Sequence, residues 1–180
     1  SASIAAGLAF VSEDRRGVGL LLNSSIEVNI ASGAMFGKKE FIKTWGPFSQ
    51  VDQAAVRENA QKLIGELDIR CTGPRQLVRQ LSGGNQQKVC IARALTMNPK
   101  ILLVSEPTRG IDVGAKQLVL DTLRRLNEEL GMTIVVTSSE LAELRSICSR
   151  IAIITDGRVA GILKPDDSDV NFGLLMAGQP

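Results

Sequence analysis

Three short, unbroken apolar runs limit what this chain can fold into: Ile101-Leu102-Leu103-Val104, Thr133-Ile134-Val135-Val136 and Ile151-Ala152-Ile153-Ile154. Continuous rather than alternating hydrophobicity predicts strands covered on both faces, as in a parallel sheet. Gly7-Leu8-Ala9-Phe10-Val11 is a fourth, weaker run. Between the first two strong runs, Val119, Leu123, Leu126 and Leu130 fall on one helical face, and Gly131 supplies the stop. A shorter polar helix is predicted from about Glu140 to Ser146, so strand and helix alternate as in a layered α/β domain. Asp156-Gly157 predicts a turn that joins the third run to an antiparallel partner around Arg158–Leu163.

The middle of the chain, residues 24–98, has a different pattern and reads as a mainly helical insert. Val56, Ala60, Leu63 and Leu67 mark one amphipathic helix, and a second is predicted from Asn85 until Asn98-Pro99 ends it. Phe36, Phe41, Trp45 and Phe48 cluster in a Gly-containing stretch ahead of the first helix, which reads as a loop. They form either a local mini-core or a partly exposed docking patch.

Composition removes whole classes of chemistry. A length of 180 residues allows one domain or slightly more, at roughly 100–200 residues each. The net charge of +2 gives no electrostatic reason to expect nucleic acid. The chain contains no histidine, which excludes imidazole bases, Ser-His-Asp triads and His-ligated zinc. Cys71, Cys90 and Cys148 are odd in number and far apart, so neither a disulfide framework nor a zinc cage is indicated. No apolar run approaches the ~18 residues of a membrane helix.

Chemistry is concentrated in Leu81-Ser82-Gly83-Gly84-Asn85-Gln86-Gln87-Lys88, which opens the second insert helix. A Ser-Gly-Gly entry leaves the first backbone N–H groups unpaired and unshielded by Cβ atoms, and the helix dipole adds about half a positive charge there. That is a seat for an anion, although Ser82 also suits a plain N-cap. Twenty-five positions on from Leu81, Glu106 follows Ile101-Leu102-Leu103-Val104-Ser105 and precedes Pro107-Thr108.

In that order and spacing the chain resembles the nucleotide-binding domains of ABC transporters, with their signature motif and Walker B strand. Asn85-Gln86-Gln87-Lys88 and Pro107-Thr108-Arg109-Gly110-Ile111-Asp112-Val113-Gly114-Ala115-Lys116 are similar to the second such domain of bacterial monosaccharide importers of the ribose and galactose type. The resemblance covers nearly the whole chain, starting from Gly7-Leu8-Ala9-Phe10-Val11-Ser12-Glu13-Asp14-Arg15-Arg16. It implies a P-loop NTPase-type parallel sheet with a helical insert, incomplete at its N-terminus. Residues 1–23 would be the Q-loop region, 24–98 the insert with the signature, and 99–180 the Walker B, D-loop, switch and C-terminal elements.

By the same likeness Glu13 stands at the Q-loop glutamine, Asp112 in the D-loop and Ser139 at the switch-histidine position. Leu81, Ser82, Gly83, Gly84, Asn85 and Gln86 would serve a nucleotide in trans. No G-x-x-x-x-G-K-[ST] string occurs; Gly33-Ala34-Met35-Phe36-Gly37-Lys38-Lys39 is one residue short between its glycines and has Lys39 where a hydroxyl is required. In the family the missing loop lies upstream of Gly7, so the chain reads as the C-terminal part of a domain. Ser105 replaces the Walker B aspartate, and a neutral hydroxyl is a poor partner for magnesium. Glu106 keeps the position of a carboxylate that could orient or deprotonate water, or is a turn carboxylate. Ser139 cannot do the work of an imidazole and would suit the N-cap of the next helix.

The resemblance therefore implies a domain that donates its signature to ATP and Mg2+ held with a partner ABC domain. Such a domain would dock on transmembrane permease subunits at the cytoplasmic face of the plasma membrane, as part of an ATPase driving sugar import. The isolated chain would be inactive. A soluble ABC-type ATPase of DNA repair or translation is an alternative. Repair relatives place a long coiled coil between Q-loop and signature, whereas 68 positions without a heptad run separate Glu13 from Leu81. A module that binds no nucleotide is a third possibility. Loss of the Walker A strand would leave a slot beside the strand around Val135, to be closed by strand rearrangement or by association with a second copy.

Overall fold

The computed structural model describes residues 2–179; Ser1 and Pro180, the ends of the expected 1–180 span, lie outside the described residues. Two compact units divide the chain, Ser1–Val136 and Thr137–Pro180. The first opens with a short helix α1 (Ala2–Ala5), strand β1 (Leu8–Val11) and a π-helical turn at Arg15–Gly19. Its middle segment holds helix α2 (Ile26–Lys38), a hairpin of β2 (Ile42–Trp45) and β3 (Phe48–Val51), helix α3 (Gln53–Glu66), a 3-10 turn at Val78–Gln80 and helix α4 (Gly83–Leu95). Strand β4 (Ile101–Ser105), helix α5 (Val113–Leu130) and strand β5 (Thr133–Thr137) follow.

β1 and β4 pair in parallel, with Leu8 opposite Ile101 and Val11 opposite Val104, and β5 extends the sheet in the order β1-β4-β5. The α5 face works as its periodicity predicts: Val119, Leu123 and Leu126 are buried, while Leu130, in the last turn, is 65% exposed. Gly131 ends the helix at φ 63°, its N–H reaching the Leu126 carbonyl. In α3, Val56, Ala60 and Leu63 are buried, together with Leu67 just beyond the helix. Helix α4 starts two residues earlier than Asn85, because Ser82 supplies the cap.

The stretch around the aromatics corrects two expectations. It is a β-hairpin, not a loop, and it makes no mini-core: Phe36 on α2, Trp45 and Phe48 are 86%, 57% and 75% exposed. Only Phe41 is half-buried.

The second unit contains helix α6 (Leu141–Ile147), strands β6 (Ile151–Thr155) and β7 (Arg158–Leu163), and helix α7 (Asp169–Met176). Asp156 and Gly157 both take positive φ, 50° and 73°, which suits the tight turn joining β6 to β7. Here the parallel-sheet expectation for Ile151–Ile154 fails. β6 pairs antiparallel with β7 in a two-stranded sheet, and only Ile151 and Ile153 are buried, against Phe172 of α7. Four apolar residues in a row therefore cover one face only, leaving Ile154 63% exposed. In the first unit, no strand exchange extends the sheet beyond β5 among the described residues, and Val135 there is 48% exposed.

Candidate functional site

Parallel pairing of β1 with β4 sends two loops out from the same end of the sheet, Ser12–Gly19 after β1 and Glu106–Asp112 after β4. Carboxyl ends of parallel strands are where open α/β sheets place ligands. The N-terminus of α4 joins these loops: a Cβ on Gly83 would lie 3.3 Å from the Gly110 carbonyl oxygen and 3.7 Å from Arg15 Nη2. Glu13, Ser82–Asn85 and Asp112, with the turn after Glu106, are thus brought to one end of the first unit. Ser139 belongs to the second unit.

Ser82 is exposed and N-caps α4 at φ −62° and ψ 159°, its Oγ accepting from the Asn85 N–H at 3.5 Å and from Asn85 Nδ2 at 3.0 Å. Asn85 in turn accepts from the Arg70 N–H at 2.9 Å. Gly84 is buried and fits where nothing larger would, since an added Cβ would come within 2.9 Å of the Ala115 Cβ. Of the six residues expected to serve a nucleotide in trans, Leu81 and Gln86 are turned into the interior. Both are buried, and Gln86 Nε2 donates to the Val78 and Leu81 carbonyls at 3.3 and 3.2 Å. Their side chains fix the turn that Ser82 presents.

Asp112 N-caps α5, accepting from the Ala115 N–H at 3.0 Å. A shallow cavity of about 280 Å³ lies between the two helix starts, lined by Ser82, Gly84, Asn85, Asp112 and Lys88 among others. Lys88 is buried and donates to the Asp68 carbonyl at 2.9 Å; burial lowers its affinity for the proton below that of an ordinary lysine. On the other side Glu13 is exposed and pairs with Arg109 at 2.8 Å.

Glu106 follows β4 at φ 45°, in the left-handed region that costs a non-glycine residue about 1–2 kcal/mol. Its carbonyl accepts the Arg109 N–H at 3.2 Å, so its backbone starts the turn leading to Gly110. Ser105, half-buried, is the last residue of β4. Among the described residues no group of three His, Cys, Asp or Glu could hold a metal ion. The neutral hydroxyl of Ser105 at the end of β4 is a poorer partner for magnesium than a carboxylate would be.

The N-cap expected of Ser139 falls elsewhere. Glu140 is the capping residue of α6 and makes no side-chain cap bond; Ser138 Oγ accepts the Glu140 N–H at 3.0 Å and donates to Glu143 at 3.1 Å.

Sequence reasoning also missed Arg15. It is buried in the π-helical turn and donates through Nη2 to the Gly110 carbonyl at 3.1 Å, across 95 positions of sequence. Burial lowers its pKa, and Arg15 lies beside Cys90, whose thiol is pushed up to about 12 chiefly by its own burial. The Glu13-Asp14-Arg15-Arg16 run reads as solvated charge, and nothing local marks which arginine is covered.

Known proteins place this arrangement. A family profile described as "ABC transporter" matches residues 4–109, which include Glu13, the Ser82 turn and Glu106. A ribose import ATP-binding protein of Ruegeria sp. is 39% identical over 98% of this chain and 33% of its own length. The D-allose import ATP-binding protein of Escherichia coli is 37% identical over 95% of this chain and 32% of its own length. The chain spans about a third of these curated relatives. Among solved structures, a dimeric ATP-binding cassette, MJ0796, bound to ADP and Pi superposes with a TM-score of 0.66 at 29% identity, covering 89% of this chain and 64% of that one. A component from Clostridium perfringens, part of the ABC transporter complex cbiONQ, reaches 0.71 at 20% identity, over 96% of this chain and 62% of that one, and shares the fold. The sheet order, the capped Ser-Gly-Gly turn at its carboxyl end and these matches agree: the chain belongs to the ABC transporter family.

Proposed function

We propose that this chain lends its Ser82–Gly84 turn, in trans, to ATP held by a partner ABC domain, within an assembly that couples ATP hydrolysis to monosaccharide import. The observation that carries the reading is the asymmetry of the site. The signature turn is fully built, with an exposed serine, two glycines and a buried glutamine behind it. Groups that would grip a nucleotide on this chain's own side are replaced: Ser105 for a carboxylate and Ser139 for an imidazole.

When bound, the partner's ATP supplies the phosphoanhydride bond that is cleaved. This chain contributes donors: Ser82 Oγ and the Gly83 and Gly84 N–H groups, aimed by the helix dipole at developing negative charge. Asp112, exposed at the start of α5, stands beside that turn, and Glu13, paired with Arg109, lies by the Gly110 corner; both would relay its state between the two halves. Glu106 is left as a residual carboxylate with no magnesium ligand before it.

The names of the relatives, a ribose and a D-allose import ATP-binding protein, support monosaccharide import as the reading. An importer places the chain on permease subunits at the cytoplasmic membrane face, and no described helix is long and apolar enough to cross a membrane itself. The exposed Trp45–Phe48 hairpin is the surface we assign to permease docking, because large apolar side chains grouped at a surface mark interaction sites. β5, unpaired on its outer side among the described residues, also offers an edge to a second copy of the chain.

Ser82→Asp tests the reading. Aspartate caps a helix as well as serine does, so stability should hold within about 0.5 kcal/mol. A carboxylate facing phosphate should cut ATP turnover by the assembled transporter at least about tenfold, roughly the effect of one lost transition-state donor or more. Unchanged turnover would exclude the donor role.

A further inference from the structure

We propose that Arg15 is the positioning residue of the signature turn, holding the Gly110 carbonyl and through it the Gly83 backbone in register with the loop after β1. This rests on the reading of Ser82–Gly84 as a donor to the partner's nucleotide.

Arg15 sits in a poor place for stability. Its residue is 7% exposed, and of its five N–H donors only Nη2 has a resolved acceptor, while Nε and Nη1 are buried without one. Covering a charge at that cost calls for a reason other than folding. Geometry supplies the reason. Three backbone segments from distant parts of the sequence converge on the guanidinium: its own π-helical turn, the Gly110 corner and the start of α4. Two of the contact points are glycines. A Cβ on Gly110 would lie 3.4 Å from Arg15 Nη2, and Gly110 holds φ 67°, a conformation that aims its carbonyl at the arginine.

A second tie joins the same two loops, Glu13 to Arg109 at 2.8 Å, but both partners are about half exposed and such pairs contribute little. The buried tie therefore sets the register. It also leaves a permanent positive charge beneath the anion seat, adding to the α4 dipole.

The experiment uses the ATP-hydrolysing assembly with three variants of this chain: Arg15→Lys, which keeps the charge and loses the fork, Arg15→Gln, which loses both, and Ser82→Asp as the control on the donor reading. Both Arg15 variants should lower kcat between about tenfold and a hundredfold, as a misplacement near 1 Å does, with KM for Mg-ATP changed less than about twofold. Hydrogen exchange in the 180-residue chain should accelerate at the Gln86 and Ile111 amides, which pair with the Ser82 and Thr108 carbonyls at 2.9 and 3.1 Å, and amides of β6 and β7 should keep their rates. Loss of turnover in Ser82→Asp with full turnover in both Arg15 variants overturns the positioning role and leaves the donor role standing. Full turnover in all three overturns the donor role itself. A kcat that falls only in step with the thermal midpoint, with KM rising, shows a purely structural arginine and overturns the proposal. Should Arg15→Gln fail to fold, the kcat and KM of Arg15→Lys decide.

Discussion

Gly84 sets how close α4 comes to α5, because an added Cβ would stand 2.9 Å from that of Ala115. Gly84→Ala should cost about 1–3 kcal/mol, the usual range for overpacking. Gly65→Ala is its control: Gly65 lies in α3 with nothing within 4 Å of where an added methyl would stand, and the change should be neutral or stabilise by up to about 1 kcal/mol. Urea unfolding of both separates a packing glycine from a tolerated one, and equal midpoints would refute the close approach. Cys90 adds a pH signature. Its folded pKa, about 12 against a usual 9.0, means that folding keeps a proton the unfolded chain loses. The stability this contributes is complete below pH 9 and is lost as pH rises toward 12, by at most about 1.4 kcal/mol per unit. Buried Lys88 works in the other direction, since raising the pH relieves the cost of its covered charge. Without histidine or tyrosine in the chain, Cys90→Ala should flatten much of the decline between about pH 9 and 10.5, and an unchanged slope would place the titration elsewhere. At this scale the sequence shows residue types but not their burial: Ser82 is legible from the glycines after it, whereas Arg15 and Arg16 look alike until a fold covers one.

Elements are legible where their signal is local and periodic. The α5 face, the Gly131 stop and the Asp156-Gly157 turn all follow from spacing and from left-handed backbone chemistry. β6 is not, because four consecutive apolar residues suit a doubly covered strand and a strand of a hairpin equally, and only the pairing with β7 decides. The aromatic hairpin escapes for a related reason. Its strands are four residues each, Ile42–Trp45 and Phe48–Val51, with one partly buried position apiece, so alternation has no length over which to show. That exposure makes it testable as an element. Trp45→Ala should leave stability within about 0.5 kcal/mol and weaken binding of the permease subunits at least about tenfold, a typical loss for a truncated aromatic anchor, as read in a pull-down with purified subunits. Undiminished binding would remove the hairpin from the docking surface.

Across the whole molecule, the fold and the signature turn come from different kinds of information. Alternating strands and helices state the α/β class without any relative, and the family match sets the Ser82 turn within an ABC transporter domain, where we propose that it serves a nucleotide. The proposed dependence on a partner rests on Ser105 and Ser139, which by the family resemblance offer hydroxyls where a carboxylate and an imidazole would act. The account is tested most directly by titrating the purified 180-residue chain with Mg-ATP, first alone and then with an ABC domain that carries an intact phosphate loop. We expect no saturable binding and no turnover from the chain alone, and turnover that appears on mixing and depends on Ser82. Stoichiometric Mg-ATP binding near micromolar affinity, or hydrolysis, by the chain alone would contradict it.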